Sequence, residues 1–396
     1  MTHRPLTTGA LLFWAALFML WSLPLFSSNS LPDASPRLLT DAAEYWFDPH
    51  GDADLATARE APFRSPLHAR PGLDFKPLWL RVTVDNPGPP ASRLLRVGPA
   101  LLEQVEFWQI GRPLENHQIG GLLVPGTNGA FPGQETLFPL TLDSGSTVIY
   151  LRLFSQSVLT PYVELWQNPA WERERNLSNV RMGLTYGVFL MFIQVTLIYA
   201  GWTRKWGWMY LGLSLFCFLL YQSCYEGSAA EWLWPERPEL SIIVLPASVA
   251  LGVMSISLFV LDFVPMEKLY RTRRFLLGLL VTPLLALALL VFGDYRNGMY
   301  WMAWTVFIMA LILPLLGVTA WRQGFRPGLY TLLALALIYW ATLFRIGVIM
   351  GWWAAFYRTD LWVASWCAIL ATGLLIMAQA RQLKELRQQQ ERNLIE

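Results

Sequence analysis

Residues 180–201 read VRMGLTYGVFLMFIQVTLIYAG, an almost uncharged stretch of 22 residues. A helix needs roughly 20 apolar residues to cross a hydrocarbon core of about 30 Å. Because backbone polar groups in lipid must be hydrogen-bonded within their own segment, the stretch is expected to be helical. Counting Val180–Gly201 as the first, the chain contains seven such stretches, the others lying near Trp206–Tyr225, Ser241–Asp262, Phe275–Gly293, Met299–Ala320, Gly328–Met350 and Leu361–Gln379.

Basic residues concentrate in every second connection between these stretches. The connections after the first, third, fifth and seventh stretches contain Arg204 and Lys205; Lys268, Arg271, Arg273 and Arg274; Arg322 and Arg326; and Arg381, Lys384 and Arg387. The other three connections are poor in Lys and Arg. Since loops rich in Lys and Arg stay in the cytoplasm, the sequence predicts seven crossings, an exported N-terminal region and a cytoplasmic C-terminus.

The composition agrees with a chain that lies half in a lipid bilayer, since 54% of the residues are hydrophobic and 15% are charged. From residue 31 to residue 176 the chain has 17 acidic and 12 basic residues, a net charge of −5, which argues against nucleic acid as a partner. The three cysteines all lie in predicted helices, so no disulfide is expected outside the membrane. The histidines of the exported region, His50, His68 and His117, are scattered, and we expect neither a metal site nor a cofactor.

The N-terminus has the pattern of a secretory signal. His3 and Arg4 precede an apolar run from Ala10 to Phe26, and the small polar residues SSNS follow. Four segments are therefore expected: 1–30 as a cleaved signal peptide or an uncleaved anchor, 31–176 as a periplasmic domain, 177–379 as the membrane body and 380–396 as a cytoplasmic helical tail.

The exported region has the two-residue alternation of β-strands. In Leu78–Val84 (LWLRVTV) Leu78 and every second residue after it point one way, and Trp79, Arg81 and Thr83 point the other. A turn signal, NPGPP, follows at Asn86–Pro90. Further strands are predicted at Arg93–Val97, Gln104–Ile110, Glu135–Leu140, Thr147–Phe154 and Tyr162–Trp166. Many short strands at this spacing predict a β-sandwich, so the fold class is an α+β membrane protein with a β-sandwich in front of a seven-helix bundle.

Aromatic and charged residues share the non-core side of these strands. The candidate ligand-binding residues are Trp79, Arg81, Tyr150, Arg152 and Trp166. Rings that stack and charged groups that hydrogen-bond suit a small periplasmic ligand, either carbohydrate-like or a carboxylate. The alternative is that these residues pack a second layer of the domain. Trp46 and Trp108 are interpreted as core.

Within the predicted spans, ionisable residues are nearly absent. Arg345 is the exception, and such a charge suggests function by default, although a side chain so near the outer end would also reach the interface by snorkelling. Gln194 and Gln222 are candidates for hydrogen bonds between helices. No zinc motif, phosphate loop or pair of carboxylates appears in the membrane. We therefore expect no catalytic residues and no enzyme activity in this chain.

Short motifs follow one another in a fixed order: YWFDP at Tyr45–Pro49, LWLRVTVDNP at Leu78–Pro87, FPL at Phe138–Leu140, IYLRL at Ile149–Leu153, YGV at Tyr186–Val188 and WLWP at Trp232–Pro235. Together with the seven spans, this order resembles the bacterial seven-transmembrane receptors with diverse intracellular signalling modules, 7TMR-DISM, that have a type 2 extracellular domain. The resemblance covers most of residues 41–379. It implies a periplasmic jelly roll similar to carbohydrate-binding modules and a relay to a cytoplasmic histidine kinase, diguanylate cyclase or phosphatase.

After Gln379 only residues 380–396 remain, too few for such an output domain. We expect either that the chain is cut short or that the output belongs to a separate kinase or cyclase. Ile376, Leu383, Leu386 and Gln390 fall roughly at a/d spacing, which is typical of a parallel homodimeric coiled coil and equally of a solvated helix end.

The leading hypothesis is a multi-pass receptor of the bacterial inner membrane that senses a periplasmic ligand. One alternative is a transporter or channel, which would need several polar midplane residues and broken helices. Another is a scaffold that recruits a separate kinase or cyclase through its tail.

Overall fold

The computed structural model describes residues 36–64, 76–111, 116–124, 136–155, 161–264, 270–322, 325, 327–349 and 360–395. The predicted signal peptide, residues 1–30, lies outside the described residues. In this structure a sheet-rich N-terminal part precedes a helical part, so the predicted α+β fold class is confirmed.

The N-terminal part is a sandwich of two antiparallel sheets. The strands are β1 (Arg37–Leu38), β2 (Glu44–Phe47), β3 (Leu78–Asn86), β4 (Ala91–Gly98), β5 (Gln104–Gln109), β6 (Asn116–Gly120), β7 (Thr136–Leu142), β8 (Gly145–Phe154) and β9 (Tyr162–Trp166). One sheet has the strand order β1-β9-β4-β7, and the other has the order β2-β3-β8-β5-β6. A helix of six residues, α1 (Leu55–Glu60), follows β2. Of these, β1, β2, β6 and α1 were not predicted from the sequence.

The core lies between the two sheets, where the two-residue alternation places it. Leu78, Leu80 and Val82 of β3 have no exposed surface, and neither have Ile149 and Leu151 of β8. The four-stranded sheet contributes Leu95, Val97, Phe138, Leu140 and Val163 to the same core. Every second residue of the central strands therefore remains for the outer faces of the sandwich.

Seven helical spans in the described residues are long and apolar enough to cross a membrane. The fourth span comprises two helices that are interrupted at Leu280, three residues before Pro283. The helices are α2 (Asn168–Thr203), α3 (Trp206–Tyr225), α4 (Ser228–Trp232), α5 (Leu240–Phe263), α6 (Tyr270–Leu279), α7 (Val281–Phe292), α8 (Tyr295–Arg322), α9 (Gly328–Ile349) and α10 (Asp360–Ile395). The short helix α4 connects the second and third spans.

The first span is longer than the bilayer requires. Helix α2 has 36 residues, which correspond to about 54 Å at 1.5 Å per residue. It begins at Asn168, a single residue after β9 ends at Trp166. The first turn of α2 packs on the sandwich through Ala170 and Trp171, and the same helix continues as the first span. We call this end of the bundle the outer end and the opposite one the far end.

Candidate functional site

The loop after β2 is organised by the carboxylate of Asp48, which is 1% exposed. Its Oδ1 accepts hydrogen bonds from the backbone N–H groups of His50 (3.1 Å) and Gly51 (2.9 Å), and its Oδ2 accepts one from Ala53 (2.9 Å). Gly51 has a φ of +83°, which glycine adopts without strain. Burial raises the pKa of Asp48, but the three N–H donors and the charge of Arg152 outweigh it and hold that pKa below its usual value.

Arg152 of β8 ties this loop to the five-stranded sheet. Its Nη2 donates to the carbonyl oxygen of Gly51 at 2.7 Å, and its Nη1 donates to Glu106 Oε1 at 2.8 Å. Glu106 lies directly opposite Arg152 in the pairing of β5 with β8. Its other carboxylate oxygen is 3.4 Å from His117 Nε2. The charge of Arg152 is therefore already paired within the domain.

The rings that we expected on an open sheet face form a second, smaller core instead. Trp79 is 0% exposed and Tyr150 is 6% exposed. Trp79 stacks on Trp108 with 5.1 Å between ring centroids, and Trp108 stacks on His117 at 4.7 Å. Helix α1 covers this layer with Ala58, which is also fully buried. The expectation of an open face at Trp79 and Tyr150 is wrong, because a helix from elsewhere in the chain packs on that side of the sheet.

Arg81 lies at the edge of the same layer. Its Nε is 2.5 Å from Glu44 Oε2, and its guanidinium carbon lies 4.7 Å from the centre of the Phe63 ring. About a third of each of the two charged side chains is exposed. Arg81 therefore anchors β2 and the segment after α1 to β3.

A cleft of about 430 Å³ opens between helix α1 and the five-stranded sheet. This volume is at the low end of the range for small-molecule sites, roughly 300–1,000 Å³. The cleft is lined by Asp52, Ala53, Asp54, Leu55, Ala56, Glu106, Trp108 and Arg152. Of the predicted ligand-binding residues, only Arg152 lines it. Trp79 and Tyr150 support it from below by packing against Trp108.

Trp166 lies on the other sheet and belongs to a different cluster. It is 2% exposed, and its Nε1 donates to Glu164 Oε2 at 2.9 Å. Arg96 Nη1 donates to the same oxygen at 2.8 Å. The Arg96 guanidinium lies 5.3 Å from the ring centres of both Tyr162 and Trp171. Because Trp171 belongs to α2, these residues form the junction between the sandwich and the first span; we call them the junction cluster.

Comparison with known families supports this division of the chain. A family model described as 7TMR-DISM extracellular 2 matches residues 40–167, and one described as 7TM diverse intracellular signalling matches residues 178–382. The chain belongs to the 7TMR-DISM receptor family. The resemblance inferred from the sequence motifs is confirmed, and the sandwich is the extracellular domain of a multi-pass membrane receptor. No curated protein matches the chain.

In this 7TMR-DISM receptor Arg345 is held inside the outer end of the bundle. Its guanidinium carbon lies 4.0 Å from the ring centre of Tyr225 and 5.3 Å from that of Tyr221, both on α3. Both of its terminal nitrogens are buried. The snorkelling interpretation is wrong, because aromatic faces on the neighbouring span receive the cation within the protein.

The two glutamines differ in their environments. Gln194 is exposed on the surface of α2, so it does not make the hydrogen bond between helices that we expected within the described part of the chain. Gln222 is 1% exposed and donates to Glu226 Oε1, 2.6 Å away at the end of its own helix. Glu226 in turn accepts a hydrogen bond from Tyr186 of α2 at 2.5 Å. The polar link between the first and second spans therefore passes through Glu226.

The first and seventh spans meet at the outer end through Arg181. Its guanidinium carbon lies 5.2 Å from the ring centre of Trp362 on α10. Its Nη2 is 2.7 Å from Oε1 of Glu174, about two turns earlier on α2. At the far end, α10 contacts the end of the third span, where Gln382 Nε2 donates to the carbonyl oxygen of Phe263 at 3.4 Å. Arg381 lies 4.5 Å from the ring centre of Tyr330 on α9.

Sequence reasoning missed the acidic part of the cleft. The stretch Asp48–Asp54 reads DPHGDAD, in which three aspartates and a glycine were a usable signal for a shaped polar loop. Glu106 is two residues from Trp108 on the same face of β5, and this spacing could have placed it beside the candidate residues. Within the described ranges no group of three or more His, Cys, Asp or Glu side chains is arranged to hold a metal ion.

Proposed function

We propose that this 7TMR-DISM receptor senses a small polar molecule in the cleft and passes cleft occupancy through the first and seventh spans to a cytoplasmic signalling module. The module is a histidine kinase or a cyclase, either on a separate protein or joined to α10. The protein lies in a bacterial inner membrane, and its tail is in the cytoplasm. The basic connections after the first, third, fifth and seventh spans support this orientation.

The observation that carries the proposal is that the cleft and the first span lie on opposite sheets of the sandwich. The cleft opens on the five-stranded sheet, where Arg152 and Glu106 line it. The first span packs on the four-stranded sheet, where Trp171 contacts Trp166. The two sheets share one close-packed core. Because such a core resists local deformation, a change in the curvature of one sheet alters the curvature of the other.

Contacts continue from the junction cluster to the tail. The first contact joins α2 to β9 through Trp171 and Trp166, and the second joins α2 to α10 through Arg181 and Trp362. Helix α10 is continuous from Asp360 to Ile395, so it reaches from the outer end past the far end without a break. This arrangement supports α10 as the element that transmits the signal.

A ligand shifts such a receptor only if it binds one of two conformations more tightly. The build of the cleft supports such a preference, because residues 52–56 come from the loop and α1, whereas Glu106, Trp108 and Arg152 come from the sheet. A ligand that contacts both sides favours one separation of α1 from the sheet. Binding energy is thereby converted into a preference between states of the domain.

The test uses the full-length chain reconstituted in lipid nanodiscs. A panel of sugars, amines, amino acids and dicarboxylates is screened for compounds that raise the unfolding temperature, which is followed by tryptophan fluorescence. Each compound that binds is measured again on Ala56→Trp, which fills the cleft, and on Glu60→Trp, which places the same ring on an exposed position of α1 that does not line the cleft. We expect Ala56→Trp alone to abolish binding.

The relay is tested on the same samples by hydrogen exchange of residues 380–395. A bound compound is expected to change the exchange rate of this segment in the parent chain and in Glu60→Trp. Binding that survives in Ala56→Trp would refute the cleft as the site. A compound that binds in the cleft and leaves the exchange of the tail unchanged would refute the relay.

A further inference from the structure

The lining of the cleft is unbalanced in charge. Of the described residues that line it, Asp52, Asp54 and Glu106 carry carboxylates and Arg152 carries a guanidinium. Asp48, in the loop before α1, adds a further carboxylate within reach of the charge of Arg152. A ligand in the cleft therefore meets a surplus of negative charge.

Arg152, the cation among the described lining residues, is already engaged. Arg152 donates from Nη1 to Glu106 and from Nη2 to the carbonyl oxygen of Gly51. The donor–acceptor distances of these hydrogen bonds are 2.8 and 2.7 Å. An incoming carboxylate would have to displace one of these acceptors to bind the guanidinium. Displacing Glu106 would leave a carboxylate that is only 13% exposed without its guanidinium partner, which is unfavourable. The pair thus disfavours an anionic ligand.

The loop side of the cleft, which we call the rim, carries the carboxylates of Asp52 and Asp54. Asp52 is exposed, and with the described residues its side chain makes no hydrogen bond or ion pair. Asp54 caps α1 by accepting from the N–H (2.8 Å) and the hydroxyl (2.7 Å) of Thr57. Those bonds favour its charged form and lower its pKa. Asp54 is therefore ionised at neutral pH.

The rest of the lining is apolar and small. Ala53, Leu55 and Ala56 contribute one wall, and Trp108 contributes another. Both faces of the Trp108 ring are covered, one by Trp79 and the other by His117, so Trp108 cannot stack a ligand between its face and the cleft. This wall accommodates a short carbon skeleton and does not select a particular ring.

We propose that the cleft takes a small organic cation, a hydroxyl-bearing or aliphatic amine, and discriminates against carboxylates of the same skeleton. The inference rests on the proposed function and names the ligand class of its site. The ammonium group is held by the carboxylate rim, Asp52 foremost, and the carbon skeleton lies against Leu55 and Ala56. Arg152 and Glu106 act as positioning residues that keep the rim and the sheet together.

The test compares ligands of similar size that differ in charge, on the full-length chain in nanodiscs by isothermal titration calorimetry. One series is D-glucosamine, D-glucose and D-glucuronate; the other is putrescine, butane-1,4-diol and succinate. In at least one series we expect the amine to bind about tenfold more tightly than the carboxylate. Asp52→Asn is expected to remove most of this preference. The matched control is Asp85→Asn, which changes an exposed aspartate near the C-terminal end of β3 and should keep the preference for the amine.

The outcomes separate the ligand class from the site. If a carboxylate binds at least as tightly as its amine and Ala56→Trp abolishes that binding, the cation proposal is overturned and the proposed function stands. If the amine preference survives in Asp52→Asn, or if neither amine binds at millimolar concentration, the cation proposal is overturned as well. If Ala56→Trp leaves the binding of every compound unchanged, the cleft itself is the wrong site.

Discussion

Glu164 and Arg96 form an ion pair on the face of the sandwich that packs against the first span, with 2.8 Å between Oε2 and Nη1. The Glu164 side chain has no exposed surface, and that of Arg96 is 14% exposed. We expect Glu164→Gln to lower the free energy of unfolding of the sandwich by about 3 kcal/mol, because the guanidinium stays buried without an anion. Urea denaturation of the reconstituted chain, followed by tryptophan fluorescence, measures this change.

The matched control is Glu44→Gln, which breaks the ion pair with Arg81 on the opposite sheet. Since about a third of each of these side chains is exposed, water screens the pair, and the expected loss is at most about 1 kcal/mol. Equal losses in the two variants would contradict the role given to burial at the junction cluster.

Asp48 makes the stability of the sandwich depend on acid. Its folded-state pKa lies below the ordinary value of 3.8, so the unfolded chain binds more protons than the folded one between the two values. The stabilisation is fully present above the ordinary pKa and is lost as the pH falls through the folded value. We expect Asp48→Asn to unfold more easily at pH 7 and to lose less stability on acidification than the parent. Urea midpoints measured from pH 7 to pH 3 test this, and parallel pH profiles would contradict it.

Trp79 has a structural role that can be separated from ligand contact. Because the ring is fully buried against Trp108, Trp79→Ala leaves a cavity and is expected to lower the free energy of unfolding by about 3–5 kcal/mol. His117→Ala removes only the half-exposed end of the same stack and should lower it by less than about 1 kcal/mol. Thermal denaturation of the two variants distinguishes these values. A Trp79→Ala protein as stable as the parent would show that the layer under α1 is not a packed core.

The fifth and sixth spans meet closely at Gly317. A Cβ atom at this position would be 2.9 Å from the Cα of Leu332, closer than packed carbons approach. Gly317→Ala is therefore expected to lower the thermal midpoint of the bundle, at a cost of about 1–3 kcal/mol for the overpacking. At Gly187 of α2 a Cβ atom meets nothing within 4 Å, so Gly187→Ala should leave the midpoint unchanged or raise it. A loss of the same size in both variants would point to a general intolerance of alanine in the spans.

Much of the membrane body was predictable because crossing a bilayer imposes a simple requirement on the sequence. A span needs a sustained apolar stretch, and each predicted stretch coincides with a helix or, for the fourth, with the pair α6 and α7. The long central strands were predictable for a similar reason. The alternation in Leu78–Val84 arises because one face of β3 is buried in the main core. The residues of that face are every second residue of the strand.

The candidate site was harder because its parts are distant in the sequence. Arg152 and Gly51 are 101 positions apart, and their hydrogen bond forms only after α1 folds over the sheet. Trp79 and Trp166 were both predicted on the non-core side of a strand, yet one lies under α1 and the other against α2. Alternation identifies which side of a strand a residue occupies, but it does not reveal which element covers that side. Short elements such as β1 and α1 have too few residues to show a period.

The connection between β9 and α2 leaves no slack, since Gln167 is the single residue between them and β9 is paired with β4 as far as Trp166. Any change in the inclination of the last strand therefore becomes a change in the inclination of a 36-residue helix. Such a helix is a lever arm, and over about 54 Å a tilt of about 5° moves its opposite tip by about 5 Å. A tilt of a few degrees at the sandwich would therefore become a displacement about the size of a helical turn at the opposite tip of α2.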